Sequence, residues 1–218
     1  SVETSGRSLT INGVVNTGDW GHWLIDPTDI IIGDTYAEGY YKTLNINRSL
    51  LQAASNGQTG QSLVLNADRD VFIGGALGVL ADNYTLDLYI EAGRHVYINA
   101  LLLDSGTGVL NVDITADRDV QIVQPVATKG KFVIDTPGQW TTGYGVNVTA
   151  RAGILRKGPG ITSLGGDLRT TTGDIDIRGD LVVRNDLSLI TSGGDITVTG
   201  AIETIKTTAT RLTSGEGW

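Results

Sequence analysis

The chain has 218 residues, 24 acidic and 16 basic side chains, no Cys, two His and a formal net charge of −8. Without Cys there are no disulfides, thiolate metal sites or cysteine nucleophiles, and two His are too few for an imidazole-rich metal site. The negative charge argues against nucleic acid, because neutralising phosphates needs a concentrated positive surface. We therefore expect no metal, no cofactor and no nucleic-acid partner.

Short alternating strands recur along the chain at a nearly constant spacing. Three segments share the pattern Ala-x-Arg-x-Val-x-Ile, at 67–73, 92–98 and 116–122, and each follows an alternating apolar strand. Their spacings are 25 and 24 residues, and a shorter form of the unit returns at 172–177 and 193–198, 21 residues apart. Such a period with Gly, Asp and Asn turns is typical of a β-solenoid, in which stacked coils share one apolar column.

The sequence thus predicts an all-β parallel β-helix with coils of about 20 to 25 residues. About 9 or 10 coils, stacked at about 4.8 Å, would form a rod about 45 Å long. Val71, Val96 and Val120 are expected to line one core column. A β-sandwich is the main alternative, since it also has short strands and regular turns.

One stretch and the coil pattern together resemble a known family. The stretch at 23–32 reads Trp-Leu-Ile-Asp-Pro-Thr-Asp-Ile-Ile-Ile, and coils of the form Leu-x-Leu-x-Ala-x-Arg-Asp-Val-x-Ile follow it. This resembles the filamentous haemagglutinin family of bacterial two-partner-secretion exoproteins. The resemblance implies a right-handed helix, secretion through an outer-membrane transporter partner, and a place on the bacterial cell surface or outside the cell. Because the chain starts at Ser1 without Met, we expect 1–218 to be one β-helix segment of a longer exoprotein.

The segment 125–160 departs from the repeat and is predicted to be an irregular basic and aromatic excursion. It has three of the four Pro, five basic residues and one acidic residue, Asp135. A raised surface of this kind would suit acidic glycans, through Arg forks and ring stacking. The predicted binding residues are Trp140, Tyr144, Arg156 and Lys157. The alternative is an irregular coil whose aromatic side chains cover the helix.

Two further motifs have a structural and a functional interpretation. The tripeptide Arg178-Gly179-Asp180 is one that integrins bind when a loop presents it, although Gly179 also aligns with a corner glycine of the next coil. The recurring Arg69, Arg94 and Arg118, with Asp neighbours, resemble acid–base groups of β-helix enzymes that cut polysaccharides. Because the cluster recurs with the period, a ladder of charged turns is favoured and no catalytic residue is assigned.

The sequence as a whole favours a non-enzymatic function. We expect an adhesive or structural segment of a secreted surface exoprotein, attaching to a cell surface or biofilm matrix through a polysaccharide or a cell-surface receptor. The alternatives are a β-helix enzyme that degrades polysaccharide, and the stalk of a contact-dependent toxin delivery protein.

Overall fold

The fold is built from short strands joined by tight turns. A computed structural model describes residues 1–5, 9–11, 17–32, 44–46, 60–75, 77–79, 82–104, 106–184, 186–205 and 211–214. Within these ranges there is no helix, and the regular elements are 26 strands. None of the described residues forms a helix long and apolar enough to cross a membrane.

The strands form three parallel sheets, called sheets 1, 2 and 3 below. In spatial order, sheet 1 consists of β1 (Val2–Ser5), β3 (Gly21–Asp26), β6 (Gly60–Ala67), β9 (Thr85–Ala92), β12 (Val109–Ala116), β15 (Lys131–Asp135), β18 (Gly153–Arg156), β21 (Ile175–Ile177) and β24 (Ile196–Val198). Sheet 2 consists of β2 (Leu9–Ile11), β5 (Leu44–Ile46), β4 (Ile30–Ile32), β7 (Val71–Ile73), β10 (Val96–Ile98), β13 (Val120–Ile122), β16 (Trp140–Thr142), β19 (Thr162–Leu164), β22 (Leu181–Val183) and β25 (Ile202–Thr204). Sheet 3 consists of β26 (Arg211–Ser214), β23 (Ser188–Thr191), β20 (Leu168–Arg169), β17 (Val148–Ala150), β14 (Val126–Thr128), β11 (Leu102–Asp104) and β8 (Leu77–Val79).

Successive strands rotate through the three sheets, which confirms the predicted parallel β-helix. From β6 to β26 the described chain makes seven turns, each with one strand in every sheet. Strands β1 to β5 extend sheets 1 and 2 further, with β5 inserted between β2 and β4. The complete turns are therefore fewer than the 9 or 10 expected, whereas sheets 1 and 2 reach nine and ten strands. The handedness stays a prediction.

The core is a set of apolar columns along the solenoid axis. Val96 pairs with Val71 on one side and with Val120 on the other, and all three side chains are fully buried. The predicted column is thus confirmed, and it continues into Trp140 and Thr162. Strands here alternate inward and outward residues, so each turn adds a few buried side chains to a continuous core.

The segment 125–160 is regular, and the predicted excursion is wrong. It forms β14 to β18, which pair with the turns before and after them in all three sheets. Its prolines are exposed residues in the turns, where a missing N–H removes no sheet hydrogen bond. The local basic charge therefore lies along an ordinary stretch of the rod.

Candidate functional site

Two of the predicted binding residues lie inside the solenoid. Trp140 and Arg156 are both fully buried, Trp140 as the first residue of β16 and Arg156 as the last residue of β18. Trp140 packs beside Phe132, with ring centroids 6.2 Å apart. Neither side chain is available to a glycan on the outside of the rod, so the predicted four-residue surface is corrected at these two positions.

The other two predicted residues are on the surface but at different corners. Tyr144 is 65% exposed in the turn between β16 and β17, and the Arg184 guanidinium lies 5.3 Å from its ring centroid. Lys157 follows β18, at the corner between sheets 1 and 2, and its Nζ is 3.8 Å from Asp113 Oδ2. The structure does not join these residues into one site.

The Arg178-Gly179-Asp180 tripeptide forms a tight corner between β21 and β22. Gly179 has φ +89°, and a Cβ there would lie 2.7 Å from the carbonyl oxygens of Pro159 and Gly160 in the preceding turn. The Asp180 carboxylate accepts a hydrogen bond of 2.9 Å from the Ala201 N–H of the next turn. The glycine is thus required by the corner, and the aspartate ties two turns together, which favours the structural interpretation of this motif.

The recurring Asp and Arg residues form a ladder between turns, as the structural interpretation of the repeat predicts. Asp29 Oδ1 accepts from the Asp70 N–H at 3.2 Å, and the same carboxylate binds the Arg69 guanidinium through Nε and Nη2. One turn further, Asp70 binds Arg94 in the same two-pronged way. Each carboxylate thus caps and neutralises the turn that stacks on it.

His95 interrupts this ladder at its third step. It occupies the position of Asp29 and Asp70, and its Nδ1 accepts from the Asp119 N–H at 3.3 Å. Arg118 therefore lacks the ion pair that the two earlier arginines make. The ladder resumes when Asp119 Oδ1 accepts from the Gln139 N–H at 2.8 Å.

A groove on the outer face of sheet 1 is the strongest candidate for a binding site. It has two adjoining stretches of about 360 and 240 Å³, which share Lys131 and Val133. Its outward residues form one row across five strands, which we call the outer row: Tyr89, Asp113, Val133, Leu155 and Asp176. At about 4.8 Å per strand, the row is about 19 Å long.

The groove has an apolar floor and polar edges. Val133 points outward in a strand, yet it is only 8% exposed because its neighbours cover it, while the Tyr89 ring is 39% exposed. Along one edge, Asn111 Nδ2 donates to Asp87 Oδ1 at 2.8 Å, and Asn111 Oδ1 accepts from the Lys131 N–H at 3.0 Å. These bonds fix the edge between neighbouring turns and hold its polar groups in place before any ligand binds.

Carboxylates outnumber cations in the groove, and the pKa values of two of its groups are raised. Burial raises the pKa of Asp113 above its ordinary value, Lys157 opposes the rise, and Asp135 adds to it. Burial also raises the pKa of the Tyr89 hydroxyl, and the charges of Asp87 and Asp113 add to this rise. Such a surface attracts neutral or cationic groups and repels anionic ones.

Sequence reasoning did not find the groove, although a signal for it is present. The strand around 86–90 alternates Leu-Asp-Leu-Tyr-Ile, and its apolar residues point inward, so Asp87 and Tyr89 must point outward. Combining this alternation with the register of the following turns would have placed Tyr89 beside Asp113. The predicted surface was instead chosen by local basic and aromatic composition.

No protein-family model, curated protein or solved structure matches this chain. The resemblance to filamentous haemagglutinins therefore stays a prediction. Among the described residues, no three His, Cys, Asp or Glu side chains are grouped closely enough to hold a metal ion.

Proposed function

We propose that the chain is an adhesive and structural segment of a secreted bacterial surface exoprotein, and that the groove on sheet 1 attaches it to a glycan. The observation that carries the proposal is the outer row, where an exposed tyrosine ring and an apolar floor are bordered by fixed polar groups. Sugars have apolar ring faces and hydroxyl edges, and a surface of this kind matches both.

The charge of the groove indicates which glycans to expect. The groove is lined by one cation, Lys131, and by four carboxylates, those of Asp87, Asp113, Asp174 and Asp176. Uronic acid polymers would be repelled by this surface, whereas neutral and amino-sugar polymers would not. This reverses the preference for acidic glycans that the composition of 125–160 suggested.

The export and the location that we propose rest on the resemblance in sequence to filamentous haemagglutinins. The rod would be exported through an outer-membrane transporter partner and would stand on the bacterial surface, where it attaches to another cell or to a biofilm matrix. A uniform parallel β-helix suits this function because its length grows with every added turn while its surface stays regular.

Cleavage of a glycan in the same groove is a second candidate function. It is favoured by one observation: burial in the groove raises the pKa of Asp113, and a raised pKa favours the protonated form that the proton donor in glycosidic cleavage needs. Asp113 would then act as general acid, with Asp87 or Asp135 as the second carboxylate.

One experiment separates the two functions. The purified chain is incubated with neutral, amino-sugar and uronic acid polysaccharides, and both the retention of each polymer and its length are followed with time. The adhesive proposal predicts retention of a neutral or amino-sugar polymer without shortening. Shortening that Asp113→Asn abolishes would establish cleavage instead, and a result with neither retention nor shortening of any polymer would contradict both functions.

A further inference from the structure

A charged side chain occupies the core column of sheet 1. Arg156 pairs with Ile134 in the turn before it and with Ile177 in the turn after it, and it is fully buried. Its Nη2 donates to the Gly138 carbonyl oxygen at 2.9 Å. Its Nε and Nη1 are buried without a hydrogen-bond partner among the described residues.

Two more buried polar groups without a partner belong to the same corner between sheets 1 and 2. They are the indole Nε1 of Trp140 and the hydroxyl of Thr162, which occupy paired positions in successive turns. Thr162 begins the strand that follows Arg156 around the corner, and Trp140 lies two residues after Gly138, to which Arg156 donates. The unpartnered nitrogens are all donors, and the hydroxyl can also donate.

The sequence makes space for the guanidinium at this corner. Gly158 lies against the arginine, since a Cβ there would come within 2.6 Å of Arg156 Nη1. The guanidinium therefore occupies space that a larger residue at position 158 would fill.

No carboxylate among the described residues forms an ion pair with this positive charge, although Asp135 lies near enough to act on it. Burial lowers the pKa of Arg156 and Asp135 partly opposes this, but a guanidinium keeps its proton in proteins. An ion buried without a partner is costly, and buried donors are normally satisfied by protein, water or an ion. A neutral water would accept hydrogen bonds here but would not neutralise the charge.

We propose that this corner encloses a monovalent anion of halide size, held by an unpartnered N–H group of the Arg156 guanidinium, with the Trp140 indole and the Thr162 hydroxyl of the same corner as candidate further donors. Because the site is inside the rod, the anion enters as the turns close during folding. It stabilises the folded state by mass action, since the unfolded chain has no such site.

The test compares the unfolding of three proteins after refolding from urea in halide-free buffer. Each is then unfolded and refolded at constant ionic strength with gluconate or with increasing chloride. The parent protein is expected to gain about 5 to 11 °C in its unfolding midpoint as chloride reaches 100 times its dissociation constant. Arg156→Leu should fold, because its column neighbours are isoleucines, and should show no chloride dependence. Arg178→Leu, a change at an exposed arginine of the next turn, should behave like the parent.

A second measurement locates the ion. Crystals grown in bromide should give an anomalous scattering peak within hydrogen-bond distance of the Arg156 guanidinium. A parent protein that is indifferent to chloride, or an Arg156→Leu protein that keeps the dependence, would overturn the proposal. So would a bromide crystal with only a water molecule at this position.

Discussion

Asp70 is a buried step of the ladder between turns, and its removal should weaken the ladder. It is 4% exposed, and it accepts hydrogen bonds from Arg94 Nε at 3.2 Å, from Arg94 Nη2 and from the His95 N–H at 3.1 Å. Asp119 occupies an equivalent step but is 52% exposed, and it accepts from one backbone N–H, that of Gln139. The two positions therefore form a matched pair: both carboxylates accept from a backbone N–H of the next turn, but only Asp70 is buried and binds a guanidinium.

Asp70→Ala is expected to lower the free energy of unfolding by about 2 kcal/mol. Hydrogen bonds to a charged group contribute about 1.5 to 3 kcal/mol, but Arg94 is 43% exposed, so its share is reduced by solvent. For a chain of this size the loss corresponds to about 4 to 8 °C in the unfolding midpoint. Asp119→Ala should cost about 0.5 to 1 kcal/mol, the value of one hydrogen bond near solvent.

Urea unfolding followed by circular dichroism measures both losses. A lower midpoint urea concentration, with an unchanged slope of the unfolding free energy against urea concentration, would show that stability has changed and that the surface exposed on unfolding has not. Equal losses for Asp70→Ala and Asp119→Ala would refute the reasoning, since the half-buried ion pair of Asp70 with Arg94 would then add nothing to the cap.

Three further predictions concern the core, a corner and the groove. Val96→Ala leaves a cavity in the central column and should lower the free energy of unfolding by about 1 to 3 kcal/mol in urea titrations; a melt like the parent's would contradict the register. Gly179→Ala should lower the thermal midpoint more than Gly145→Ala, because both have positive φ but only the Gly179 position lacks space for a Cβ; equal shifts would mean that strain alone matters. Asp113→Asn should raise the thermal midpoint at pH 7. The raised pKa of Asp113 means that the native parent protein loses stability as the pH rises through that pKa, so the midpoints of the two proteins should converge near pH 4. A midpoint difference that stays constant between pH 4 and 7 would contradict this.

The register of the core was predictable because the period places equivalent residues in contact. Val71, Val96 and Val120 follow the same Arg in three segments, and parallel stacking leaves one way to align them. The regular path of 125–160 differs from the prediction, because three prolines and a local basic charge are typical of an interruption in a repeat. Proline in a turn removes no hydrogen bond of a sheet, so the position of the prolines within the coil decides their effect on the fold, and their number does not.

The buried arginine shows a conflict between two signals. Ile154 and Arg156 are two residues apart in one strand, so the alternation of a strand places both on the inner face. A charged side chain normally lies on the surface, so the charge of Arg156 predicts exposure where the alternation predicts burial. The groove was missed for a related reason, since each of its outward residues is ordinary alone and only the stacking of turns brings Tyr89, Asp113 and Val133 together.

A pair of tyrosine variants shows whether the outer row of sheet 1 binds a glycan. Tyr89 lies in the groove, whereas Tyr144 is more exposed but lies at a distant corner between sheets 2 and 3. Titration calorimetry with the retained neutral or amino-sugar polymer should show about tenfold weaker binding for Tyr89→Ala and unchanged binding for Tyr144→Ala. Unchanged binding for Tyr89→Ala, or a loss for Tyr144→Ala alone, would place the ligand elsewhere on the rod and contradict the account.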